Sequence, residues 1–330
     1  MTNPGEVFRD LGPDQVLNLV EGALGVVLTN LFRPLNSYIN RVYELEKEDG
    51  SGLVVKFYRP GRWSERGIAD EHRFLQELSA DEIPVIAPLQ LQTGGTVGKY
   101  HGICYALFPK KGGRSVDEFD DDQWLQLGRL LGRVHSIGSR SPSSERPLMS
   151  PTASTREQLN YLLNSGLVSE RIAPEFEKIV TRIIKETAPL FDSVKPIRIH
   201  GDCHFANIIY RPGESFYLID FDDMVMGPPV QDIWMLLPGT LEETFVEMDI
   251  FLEGYEMFYR FDRRTFRLIE PLRAMRFVHY MAWCAHQVLA DGHTRVIDDF
   301  GTENYWQREV DDLQDQLERI GDTVIPGGNF

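Results

Sequence analysis

Apolar residues Val16, Leu19, Val20 and Leu24 recur at helical spacing and predict a helix over 13–24. The pattern then changes to extended runs. LFRPLNSY leads into INRVYELE, and beyond the turn-like EDGSG the run LVVKFYRP predicts a strand that closes a hairpin ending at Pro60-Gly61. Ile68, Phe74, Leu75 and Leu78 lie near one face of a predicted helix over 64–79, with Ser64 as its cap. Two short strands are expected at 85–92 and 103–108. Past Pro109-Lys110-Lys111-Gly112-Gly113-Arg114 the periodicity is helical over 120–138, 154–165, 174–190, 240–260, 265–290 and 303–320. The exception is 197–221, where PIRIH and SFYLIDF predict strands around a polar loop. The fold expected is α+β and bilobal: a small antiparallel β lobe with one helix over 1–108, and a larger, mainly helical lobe over 109–330. Two lobes imply a cleft, the usual place for a ligand.

Charge narrows what that ligand is. Lys and Arg total 34 against 50 Asp and Glu, a formal charge of −16. Such an excess weighs against nucleic-acid or anionic-membrane partners, which need a basic surface. A phosphate-bearing small molecule needs only a local cluster of donors. The three cysteines, Cys104, Cys203 and Cys284, are too few and too dispersed for a disulfide framework, and a reduced cytoplasmic setting is expected. MTNPGEVFRDLGPDQ lacks a basic segment followed by an apolar run, and no apolar run approaches membrane-spanning length.

The chemistry concentrates in IRIHGDCHFANIIY, residues 197–210. His200, Cys203 and His204 offer nitrogen and sulfur ligands within five residues, but no second Cys/His pair stands nearby to complete a zinc site. Asp202 and Asn207 carry the stronger signal. Their spacing reproduces the kinase catalytic loop H-R-D-x-x-x-x-N, with Gly201 replacing the arginine. In that chemistry the aspartate aims the attacking hydroxyl, and the asparagine oxygen helps to hold Mg²⁺, a hard cation that prefers oxygen ligands. Asp220-Phe221-Asp222-Asp223 follows eighteen residues after Asp202, where a D-F-G motif would stand, and puts Asp220 in the metal-ligand position. A solvated acidic turn is the plain alternative for that segment taken alone.

These elements resemble the aminoglycoside phosphotransferase and choline kinase-like branch of the protein-kinase fold, which shares the H-G-D-x-x-x-x-N loop and an I-D-[FWL] segment. PLNSYINRVYELE, VVKFYRPGRWS, EHRFLQEL, HGDCHFANIIYR, DFDDMVMGPPVQDIWMLL and IEPLRAMRFVHYMAW together resemble the bacterial stress response kinase A family from about residue 34 to 283. That resemblance implies a cytoplasmic Ser/Thr protein kinase linked to envelope and oxidative stress, using ATP and Mg²⁺. It implies Asp202 as proton acceptor, Asn207 and Asp220 as Mg²⁺ ligands, and Ser37 in an ATP-binding turn. The family pattern H-A-G-N reads His204-Phe205-Ala206-Asn207 here, which changes local backbone freedom but not the ligand types.

The first lobe fits the same chemistry. Lys56, inside the apolar strand 53–57, stands where a lysine contacts the α- and β-phosphates, and Glu71 on the next helix is its expected partner, with Asp70 adjacent. No glycine-rich phosphate loop occurs. Asn36-Ser37-Tyr38-Ile39-Asn40 occupies the first hairpin turn, where short polar side chains replace part of an amide nest. Ala106-Leu107-Phe108-Pro109 takes the place of the hinge that meets adenine. Other residues read more simply. Asp232 caps a helix or braces the catalytic loop. His135 is a packed or capping histidine, and Trp234, Leu236 and Leu237 are core. Arg273 and Arg276, one helical turn apart, form an internal salt bridge more readily than an anion site. Asp117–Asp122 and Asp311-Asp312 are solvated faces. The expected activity is phosphoryl transfer from ATP to protein Ser/Thr hydroxyls by a monomer, without nucleic-acid or membrane partners. The alternatives are a small-molecule kinase for homoserine, choline or an aminoglycoside, and an inactive nucleotide-binding module.

Overall fold

A computed structural model describes Phe8, residues 11–116 and residues 118–322 of the chain; Asp117 of the acidic run and most of the N-terminal stretch lie outside them. Five antiparallel strands form the upper sheet: β1 (Leu28–Leu35), β2 (Arg41–Lys47), β3 (Gly52–Phe57), β4 (Gly98–Tyr100) and β5 (Ile103–Pro109), in the order β1-β2-β3-β5-β4. Period-two alternation decides what each face does. Leu53, Val55 and Phe57 of β3 pack with Val16 and Val20 of helix α1 (Pro13–Leu24), while Val54 and Lys56 face the cleft on the other side. Helix α2 (Glu65–Ala80) begins where Ser64 Oγ accepts the Gly67 N–H at 3.0 Å, and Phe74, Leu75 and Leu78 carry it into the main core.

The expected strand at 85–92 does not form. Val85 makes one bridge to Leu218, and the Leu89 N–H donates to the Leu107 carbonyl at 2.7 Å. Pro84 and Pro88 cannot donate to a ladder, so pairing stops there.

Helix α3 (Asp121–Gly138) starts with a capping box in which Asp120 and Gln123 satisfy each other's backbone N–H, a capping role for a residue expected only to be solvated. Helices α4 (Arg156–Asn164) and α5 (Ala173–Phe191) follow. Next come four short strands, β6 (Ile197–Ile199), β7 (Ile208–Arg211), β8 (Ser215–Leu218) and β9 (Val225–Gly227), paired β6 with β9 and β7 with β8. Helices α6 (Val230–Trp234), α7 (Phe245–Glu256), α8 (Ile269–Asp291) and α9 (Glu303–Asp322) complete the chain. The helix predicted over 240–260 is thus the shorter α7. It meets α3 at backbone contact, since a Cβ on Gly132 would lie 2.4 Å from the Tyr255 carbonyl oxygen. Phe176, Ile183, Val278, Met281 and Trp306 hold α5, α8 and α9 together in a second core. Among the described residues no helix is long and apolar enough to cross a membrane.

Candidate active site

Between the sheet and the helices lies a cleft of about 1730 Å³. Asp202, Asn207 and Asp220 line it from below, and Ser37, Lys56, Glu71 and Phe108 from above. The structure therefore brings all seven candidate residues to one cavity.

The lower loop is hung on a buried carboxylate. The N–H groups of His200 and Gly201 donate to the two oxygens of Asp232 at 2.7 and 2.8 Å. Asp232 also accepts from His135 Nε2 at 3.1 Å, and His135 Nδ1 receives the Tyr255 hydroxyl at 2.7 Å. Asp232 and His135 are fully buried, so Asp232 braces the loop. His200 supports it from within: Nε2 donates to the Ile219 carbonyl at 2.8 Å and Nδ1 accepts the Asp202 N–H at 3.3 Å. Gly201 has φ +85°, and a Cβ there would lie 2.1 Å from the Asp223 carbonyl oxygen. Only glycine satisfies both demands. Cys203 is fully buried in the main core, where burial pushes its thiol pKa well up.

Residues 205–207 form one 3-10 turn. Ala206 needs no left-handed backbone there, so losing the family's glycine leaves the turn intact. Asn207 Nδ2 donates to the Asp202 carbonyl at 2.9 Å, while its Oδ1 has no hydrogen-bond partner among the described residues. Asp220, two residues past β8, lies in the left-handed region, φ +58° and ψ +64°. Such a conformation costs a non-glycine residue about 1–3 kcal/mol, and aspartate is among those that adopt it. It leaves the side chain 54% exposed to the cleft.

Lys56 Nζ sits 2.8 Å from Asp220 and 3.3 Å from Asp222. Burial works against its charge, but Asp220 and Asp222 together raise its pKa well above the ordinary value. The expected Lys56–Glu71 pair is replaced. Glu71 accepts from Arg146 Nη2 at 2.7 Å, and the same guanidinium donates to the Gly67 and Asp222 carbonyls at 2.9 and 2.7 Å. Arg146 comes from an irregular segment 75 residues further on. It fills the position beside Glu71 and leaves Lys56 to the D-F-D turn.

Arg62 is a second residue that the sequence pattern did not single out. It bonds Asp222 at 2.5 Å and Asp223 at 2.6 Å. Asn40 bonds Asp222 at 3.2 Å, tying the first hairpin turn to the same carboxylate, and Ser37 Oγ accepts the Asn40 N–H at 3.2 Å. Burial of Asp222 opposes ionisation, but Lys56, Arg62 and Arg146 hold its carboxyl well below the usual range.

Asp202 is engaged too: Arg276 Nη1 donates to one oxygen at 2.8 Å and His204 Nε2 lies 3.3 Å from the other. Burial raises the Asp202 pKa, but the His204 hydrogen bond and the Arg276 charge outweigh it and hold the group below its ordinary range. Arg276 is therefore in a salt bridge, as expected, but with the loop aspartate itself. Arg273 pairs with Glu270 at 3.3 Å. The donor set Asn207 Oδ1 and Asp220 suits a hard cation, because both are oxygens open to the cleft and leave coordination positions for phosphate and water. Among the described residues no cluster of three or more His, Cys, Asp or Glu could hold an ion by itself.

Residues 32–269 match a model of the phosphotransferase enzyme family. Stress response kinase A of Escherichia coli (strain K12) is 36% identical over 94% of this chain and 94% of its own length. The serine/threonine protein kinase RdoA of Salmonella typhimurium has the same identity and coverage. The fold is shared with more distant solved structures. One is amicoumacin kinase hAmiN in complex with AMP-PNP, Ca²⁺ and Ami, with a TM-score of 0.76 at 19% identity over 96% of each chain. Another is choline kinase LicA from Streptococcus pneumoniae, with a TM-score of 0.61 at 18% identity over 92% of this chain and 97% of that one.

Proposed function

This chain belongs to the phosphotransferase enzyme family and is an ATP-dependent kinase, and we propose that its acceptors are Ser and Thr hydroxyls of proteins and that Mg²⁺ accompanies the nucleotide. The observation that carries the reading is the meeting of Asp202, Asn207, Asp220 and Lys56 in one cleft. The name of the Salmonella relative supports protein acceptors, and the names of the E. coli relatives support a role in stress response.

Phosphoryl transfer asks a protein mainly for position and charge neutralisation. Lys56, buried and cationic, is suited to the phosphates, and Ser37 of the first turn lines the same cleft. Asn207 Oδ1 and Asp220 would hold Mg²⁺, which when bound offsets phosphate charge. Phe108 stands at the hinge, and residues 1–108 and 109–330 act as nucleotide lobe and acceptor lobe. Asp202 accepts the hydrogen bond of the acceptor hydroxyl and takes its proton. The new bond joins the acceptor oxygen to the γ-phosphorus, the bond from that phosphorus to the β–γ bridging oxygen breaks, and ADP leaves. Every residue in this reading comes from one chain, so a monomer suffices, and a cytoplasmic setting supplies ATP and keeps the three cysteines reduced.

Labelled ATP with a panel of proteins and a panel of hydroxyl metabolites tests the proposal. Asp202→Asn is expected to lower transfer about 10²–10⁴-fold. Full activity in that variant overturns the role of Asp202, and label found only on choline, homoserine or an aminoglycoside overturns the protein acceptor.

A further inference from the structure

In a chain with 16 more acidic than basic residues, the wall of the cleft nearest Asp202 runs the other way. Arg276, His279, Tyr280, Trp283 and His286 of α8 line it, and α8 carries no carboxylate between Glu270 and Asp291. Those two end residues are committed elsewhere, Glu270 to Arg273 and to Gln316 at 2.6 Å, and Asp291 to Arg59 at 2.8 Å. Asp222 and Asp223 are held by Arg62. Three further carboxylates line the cleft: Glu44 is held by Arg33 and Lys110, while Glu145 and Glu157 are exposed, and none of the three pairs with Arg276. Beyond Arg276 the wall is aromatic: Tyr161 stacks on His286 at 3.9 Å, and Trp283 stacks on Tyr280 at 5.6 Å.

Arg276 is the nearest cation to the proton acceptor, and it is only partly used. Nη1 donates to Asp202 at 2.8 Å, whereas Nε and Nη2 have no protein partner among the described residues, and the side chain is 35% exposed. The Nε–Nη2 edge of a guanidinium is a fork that grips a carboxylate or phosphate through two parallel bonds. An amine brought to the same place would meet like charge.

Resting on the kinase reading above, we propose that the acceptor hydroxyl is flanked by an anionic group that binds the Nε–Nη2 edge of Arg276, which in a protein is a Ser or Thr beside acidic residues. The anion draws the guanidinium away from Asp202, which frees the carboxylate oxygen held by Arg276 to accept the acceptor hydroxyl only when the right acceptor is present. Arg276 is thus a specificity residue that acts on Asp202 as well as on the acceptor.

Two peptides of equal length with a single Ser, one flanked by Glu and one by Arg, test this with ATP and Mg²⁺. The acidic peptide is expected to have a kcat/KM about tenfold higher, and Arg276→Gln to bring the ratio close to one while Arg276→Lys keeps part of it. Equal rates, or a preference for the basic peptide, in the wild-type protein overturn the inference. If neither peptide is phosphorylated, the protein acceptor is wrong, and a metabolite panel decides the inference separately: hydroxy acids favoured over amino alcohols support it, and the reverse order overturns it. If no acceptor is phosphorylated, fluorescence anisotropy of the two peptides on the AMP-PNP complex decides. Tighter binding of the acidic one supports the inference, and equal or weaker binding overturns it.

Discussion

On the nucleotide side of the cleft Arg146 is buried and the Arg62 side chain is only 18% exposed, each is bonded to two or more acceptors, and Lys56 faces two carboxylates. On the α8 side Arg276 is a third exposed and engages one carboxylate through one nitrogen. A buried charge has to be saturated, because an unpaired one carries the full cost of leaving water. A half-exposed arginine exchanges partners at little cost, since water replaces what the protein gives up. The first arrangement fixes a geometry that any phosphoryl donor needs. The second leaves the acceptor side free to respond to what binds there.

Three variants break or sharpen that contrast. The largest effect is expected from Arg146→Met, which strands Glu71 without its partner. Loss of one member of a buried pair costs about 3–5 kcal/mol, to be read from the denaturant midpoint. A loss below about 1 kcal/mol would mean that the nucleotide side is not a saturated network.

Arg276→Gln is expected to leave stability nearly unchanged and to act on the pH profile instead. Asp202 is ionised in its working form, and Arg276 helps to depress its pKa. Removing that charge raises the pKa, so the acidic limb of kcat/KM moves to higher pH. An unmoved limb would separate Arg276 from Asp202.

Glu71→Gln gives the smallest effect. Burial lifts the Glu71 pKa from 4.5 to about 7, against the pull of Lys56 and Arg146. The folded protein then holds a proton that the unfolded chain has lost. This contribution is complete below pH 4.5 and disappears as pH rises through 7. Between pH 6 and 8 the wild-type protein should lose about 1 kcal/mol more stability than the variant, measured by denaturation at both values.

Much of this was legible because the chemistry is local in the chain. Asp202 and Asn207 share one loop, and their spacing is set by a single 3-10 turn. Lys56 was marked by a charge inside an apolar strand, and Ser64 by its place before a helical pattern. The partners of these groups were less accessible. Arg146 lies in an irregular segment without periodicity, and only the folded chain shows that it displaces Lys56 from Glu71. Arg62 follows a Pro-Gly turn and reads as a surface residue until Asp222 and Asp223 arrive from 160 positions away. The salt bridge of Arg276 was foreseeable in kind but not in partner. Strands β4, β7 and β9 have only three or four residues, too few for alternation to show, and the apolar run at 85–92 was misleading because its prolines do not announce themselves as lost donors.

Gly201 has a mechanical consequence. The carbonyl of Asp223 occupies the space where any other side chain would begin, so the loop bearing Asp202 and the turn after Asp220 touch with no clearance. They are packed against each other as one unit. A residue inserted in either segment would alter the spacing between the proton acceptor and the phosphate-facing carboxylate, although no reacting group had been changed.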